Sequence, residues 1–137
     1  MPLPLSPNAM NRLLKVTAII EAATGLGLIA VPAIVIRLLL NSEISGAAVP
    51  LGRVAGVALL TLGVASWLAS YDEQSCAARG LVSAMVLYNI GTALILALAG
   101  IALGLHGMLL WPAVIFHAVM TVWCVACLRR SAINVID

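Results

Sequence analysis

Four stretches of the chain, each long enough to cross a bilayer, contain almost nothing that water would solvate. A membrane span needs roughly 20 predominantly apolar residues, and such runs recur between Leu13 and Leu128 with short polar breaks between them. Of 137 residues, 64% are hydrophobic and 9% charged, whereas soluble domains carry about 25% charged residues. The side chains needed for a water-facing shell are missing. Lipid removes that need, because acyl chains can face Leu, Val, Ile and Ala directly. The expected fold is therefore all-α: one integral membrane domain, a four-helix bundle running up and down. Its 11 glycines suit helices that approach closely in lipid.

Turn residues set the expected spans. The first apolar run is too long for one straight crossing, so a span over 13–31 is expected to give way to an interfacial piece over 32–40. Pro32 would stand in the first turn of that piece, where a missing N–H costs nothing. Arg37 would snorkel outward; a single kinked helix is the alternative. Ala30-Val31-Pro32-Ala33 has the small residues of a cleavage region. However, the run ahead of it exceeds a signal-peptide core, and it reads as a retained helix. Residues 41–47 form a turn, and the second span covers 49–68. A polar loop over 70–79 leads to a third span over 80–99, and a fourth covers 108–128. Residues 1–11, with three prolines, read as a flexible or interfacial arm.

Lys and Arg orient such a chain. One side would hold Arg12, Lys15, Arg79, Arg129 and Arg130, the other Arg37 and Arg53. Both termini are thus expected in the cytoplasm. The net charge of +2 is scattered, which gives nucleic acid nothing to bind.

Ionisable groups at membrane depth cost several kcal/mol unless paired or wet, and so mark functional positions. At about 1.5 Å of rise per residue, Glu21, Thr61, Asn89 and His117 reach one mid-depth layer, one from each span. Tyr88, Thr24 and Thr92 lie within a turn of it, and Arg53 extends toward Glu21 from above. Two readings follow. The layer is interhelical glue, each contact contributing about 0.6–2 kcal/mol, or Glu21, Arg53, Asn89, His117, Tyr88 and Thr61 line a binding site. Gly52 and Gly56 form a GxxxG pair for close helix packing, and Ala55, Ala58, Gly63 and Ala65 extend that small-residue surface. Cys124 and Cys127 make a CxxC on the same side as Cys76, a thiol set that would suit a soft metal ion. An apolar helix does not lower thiol pKa values, and buried packing is the preferred reading of these cysteines. An odd cysteine count gives no disulfide framework. His106 and His117 lie at different depths, so one haem between them is not expected.

Glu21 followed by Gly25-Leu26-Gly27, the run from Pro50 to Leu60, and Asn89 midway along its span resemble the DoxX-like group of small four-span bacterial membrane proteins. That resemblance implies an inner-membrane protein accompanying a redox or respiratory system; it transfers no catalytic residue. The leading expectation is a non-catalytic protein that binds a quinone or lipid, or serves as accessory subunit of a membrane redox complex. A small oligomeric transporter or proton-coupled carrier using Glu21 is the second expectation, and a lipid-modifying membrane enzyme the third. The partners expected are membrane lipid and either further copies of the chain or a larger membrane complex.

Overall fold

A computed structural model describes residues 8–133, with side-chain surroundings given through Arg130. The chain forms five helices: α1 (Ala9–Ala30), α2 (Pro32–Leu40), α3 (Ala48–Ala69), α4 (Cys76–Ala102) and α5 (Leu110–Ile133). All but α2 are long and apolar enough to cross a membrane, and there is no strand among the described residues. Leu51, Val54, Leu87, Ile95, Leu98 and Val122 stand exposed along these helices. Such a continuous apolar exterior belongs in hydrocarbon.

The boundaries differ from expectation in ways that local chemistry explains. Helix α1 starts at Ala9, four residues early, because Ala9 and Met10 are buried in the core and hold the first turn. Ala9 to Asn11 are therefore helix rather than arm, and the expected arm over 1–7 lies outside the described residues. At Val31 the backbone leaves helical geometry (φ −137°, ψ 58°) and α2 begins with Pro32 at its first position. The long first run is thus two helices. Helix α4 starts at Cys76, inside the expected loop, because the Ser75 hydroxyl caps it by accepting from Ala78 N–H at 3.0 Å. Such a cap satisfies a donor that the first turn would otherwise leave open. Helix α5 continues past Arg129 and Arg130, and cations suit a helix C-terminus.

The four long helices pair as two antiparallel hairpins. Helix α1 lies along α3 through a seam of small residues. Gly25 faces the backbone of Gly56 and Leu60, Gly63 faces Ala18 and Ala22, and Gly52 meets Pro32. Gly52 and Gly56 thus pack within the bundle, as does Gly63, whereas Ala55 and Ala58 are exposed and Ala65 is half-buried. Helix α4 lies along α5, with Gly100 against Leu110 and Trp111.

The hairpins meet at the terminal end of the bundle, where α1 begins and α5 finishes. There Met10, Leu13 and Leu14 of α1 pack with Val82 and Met85 of α4 and with Met120, Cys124 and Cys127 of α5. Toward the other end they diverge. Met10, Leu13, Thr17, Glu21, Thr24 and Leu28 share one face of α1, spaced by three and four residues. That face is buried through Glu21, then exposed at Thr24 and half-buried at Leu28. On α3 the same grading runs from buried Ser70 and Ser66, through half-buried Leu62 and Leu59, to exposed Ala55.

The open end is bridged. Gly104 turns the chain at the end of α4 with φ +63°, a left-handed conformation that glycine adopts without strain. The Leu105 N–H returns to the Ala99 carbonyl at 3.1 Å. The connection then crosses to α2, where Leu109 N–H donates to the Leu38 carbonyl at 2.9 Å and Gly107 lies directly on the Leu39 carbonyl. Helix α2 thereby ties one hairpin to the other.

Candidate functional site

The deepest polar groups gather where the hairpins begin to part. Glu21 is only 5% exposed on α1, and its Oε2 accepts from the Tyr88 hydroxyl of α4 at 3.3 Å. Its other oxygen, Oε1, makes no hydrogen bond among the described residues. The Tyr88 ring meets the His117 ring edge-to-face, centroids 5.6 Å apart, and Phe116 packs edge-on against the same imidazole at 5.4 Å.

Asn89, 1% exposed, fixes the histidine. Its Nδ2 donates to the Met85 carbonyl one turn back at 2.8 Å. A carbonyl only accepts, so this bond decides which end of the amide is which. The Asn89 Oδ1 is then left facing His117 Nδ1 at 2.7 Å. Because Oδ1 is only an acceptor, Nδ1 must carry the proton, and a neutral imidazole then presents Nε2 as a bare acceptor. Thr121 Oγ1 donates to the His117 carbonyl at 2.9 Å, a local back-bond within α5.

Of the residues expected to share the layer, Glu21, Tyr88, Asn89 and His117 come together. Thr61 does not. It sits at the right depth but on the wrong face of α3, exposed, with its hydroxyl donating to its own Val57 carbonyl at 2.8 Å. Arg53 is also apart, exposed on α3. The part of α3 level with Glu21 lies around Gly63, which faces Ala18 and Ala22. Arg53 is ten residues away, about 15 Å of helix rise, too far for an ion pair.

Sequence reading passed over Thr17. It lies one turn before Glu21 on the same face, is 2% exposed, and its hydroxyl has no hydrogen-bond partner among the described residues. The i to i+4 spacing from Glu21 was the available signal. Ser66 adds a weaker contact from α3, its hydroxyl 4.0 Å from the Met85 sulfur.

The three cysteines do not form a thiol site. Cys124 and Cys127 are buried in the core at the terminal end, and Cys76 is exposed at the start of α4. No three His, Cys, Asp or Glu side chains gather as metal ligands among the described residues.

The arrangement can offer a hydrogen-bond donor at Tyr88, a carboxyl group at Glu21 and an imidazole acceptor at His117. All three stand where the buried face of α1 gives way to exposed Thr24. Among known proteins, the chain matches no family model, no curated protein and no solved structure.

Proposed function

We propose that the chain is a non-catalytic multi-pass membrane protein that holds a lipophilic molecule, a quinone or a lipid, between its two helical hairpins. The polar head of the ligand sits at Glu21 and Tyr88, and its apolar body extends past Thr24 and Leu28 toward α2. One observation carries this reading. The face of α1 that is buried from Met10 to Glu21 is exposed again at Thr24, so the bundle parts just above its polar centre. Ligand sites are largely apolar clefts with a few converging polar groups, and this space has that composition. The setting we infer is the bacterial inner membrane with both termini cytoplasmic. The excess of Lys and Arg on the terminal side supports that orientation.

Native mass spectrometry of the protein released from mild detergent tests the reading. Wild type should retain one lipophilic adduct that Thr24→Trp excludes, because an indole at that position fills the opening above Glu21. Tyr88→Phe, which removes only the head-group donor, should weaken retention. A wild-type chain that carries no adduct, or a Thr24→Trp variant that keeps it, refutes the proposal.

A further inference from the structure

A second site lies at the bridged end, on the outer side of α2. Helix α2 has the i, i+3, i+4, i+7 spacing of a single face in Ile34, Arg37, Leu38 and Asn41. All four, together with Met108 from the α4–α5 connection, line an open groove of about 400 Å³. Arg37 is the only charged residue in that lining. It is exposed and makes no ion pair among the described residues, so its guanidinium has five donors available. Asn41 ends the helix with φ +52°, a left-handed conformation that asparagine tolerates at a helix C-terminus. Its side-chain amide is exposed on the same face.

A helix C-terminus ordinarily repels anions through its unpaired carbonyls, and here that objection is reduced. The Arg37 carbonyl accepts from Asn41 N–H at 2.8 Å, and the Leu38 carbonyl accepts from Leu109 N–H. The groove therefore combines an unpaired cation and an amide with three apolar side chains. Because α2 joins the end of one span to the connection beyond another, the groove lies at the level where headgroups meet acyl chains.

We infer that this groove binds an anionic phospholipid. Arg37 pairs bidentately with the phosphate, Asn41 donates to a headgroup oxygen, and Ile34, Leu38 and Met108 carry the start of an acyl chain. The site is separate from the Glu21 cleft and does not depend on it.

The test is native mass spectrometry of the full chain in detergent, titrated with phosphatidylglycerol or with phosphatidylcholine of identical acyl chains. Wild type should retain one phosphatidylglycerol about fivefold better than phosphatidylcholine, the preference expected from one interfacial arginine. Arg37→Ala should abolish that preference. Arg53→Ala, which removes an exposed arginine outside the groove, and Thr24→Trp should both preserve it. Far-ultraviolet helicity checks that each variant is folded. Equal retention of the two lipids, an unchanged preference in Arg37→Ala, or an equal loss in Arg53→Ala overturns the assignment. Competition by inorganic phosphate at the lipid's concentration would also overturn it, because the site would then recognise phosphate alone.

Discussion

The α1–α3 seam makes the sharpest quantitative demand on the sequence. A Cβ added at Gly25 would lie 2.6 Å from both the Gly56 carbonyl oxygen and the Leu60 nitrogen, where ordinary contacts begin at 3.4 Å. Both obstacles are backbone, so no side chain can swing aside and the helices must part by about 0.8 Å. A gap of 0.5–1 Å forfeits roughly a quarter to a half of the dispersion well at each contact along the seam. Overpacking of this kind costs about 1–3 kcal/mol, and replacing glycine in a helix returns about 0.5–1 kcal/mol. Gly25→Ala should therefore destabilise the fold by about 1 kcal/mol, and by at most about 2.5 kcal/mol. Gly56→Ala, whose Cβ would stand 2.7 Å from the Gly25 carbonyl, should fall close to it. Gly63→Ala, at 2.9 Å, should be milder. Gly91→Ala meets nothing within 4 Å and should stabilise by about 0.5–1 kcal/mol. Equilibrium unfolding in mixed micelles with increasing dodecyl sulfate, followed by tryptophan fluorescence and helicity, measures all four. If Gly25→Ala and Gly91→Ala unfold within about 0.5 kcal/mol of each other, below the gap expected from overpacking, the seam is not a close contact and the hairpin is wrongly drawn.

Three further outcomes follow from the interior. Asn89→Leu leaves His117 Nδ1 without its acceptor and should cost about 1–2 kcal/mol. Adding His117→Leu should cost much less than it does alone, and a double-mutant cycle reads the coupling. Thr17→Val removes a buried hydroxyl that has no partner among the described residues at almost constant volume. Because an unsatisfied buried polar group costs about 1–3 kcal/mol, the variant should unfold at higher dodecyl sulfate than wild type; lower stability would mean that the hydroxyl is satisfied after all. A membrane-impermeant maleimide should modify Cys76 readily in the folded protein, and Cys124 and Cys127 only after unfolding, in line with their burial.

Periodicity and turn chemistry made the helices legible, because an apolar run of membrane length has few alternatives. Pro32 marked the start of α2 because proline suits a first helical turn; that it does not instead kink one long helix shows only in the Val31 backbone, which leaves helical geometry. The polar layer was legible in depth but not in direction. Rise per residue gave Thr61 the same height as Glu21, Asn89 and His117, yet the small residues Gly56 and Gly63 turn their own face of α3 toward α1. Thr61 is then left pointing away. Arg53 failed on reach, since its height depends on which α3 residue is level with Glu21, and only the antiparallel pairing fixes that. The divergence of the hairpins could not be read at all. It depends on contacts between helices distant in sequence, and the same apolar residues serve equally well against lipid or against protein.

That last equivalence also explains how such a shape persists. In water, parting two hairpins would expose apolar surface at about 25 cal/mol per Å², and the bundle would close. In a bilayer the exposed surface meets acyl chains that are as apolar as the helices, so no hydrophobic force drives closure. Packing and polar contacts decide instead, and here both are unevenly placed. The core of Met10, Leu13, Leu14, Met85, Met120 and Cys124 holds the terminal end, and the small-residue seam holds each position along α1 and α3. At the far end the hairpins are joined by the Leu109–Leu38 hydrogen bond and the Gly107 contact. Under the proposed function, a ligand between those two attachments competes with acyl chains for the same apolar walls on nearly equal terms. Specificity must then come from the polar end of the space. Under that proposal, Glu21, Tyr88 and His117 take a role that apolar side chains could not supply.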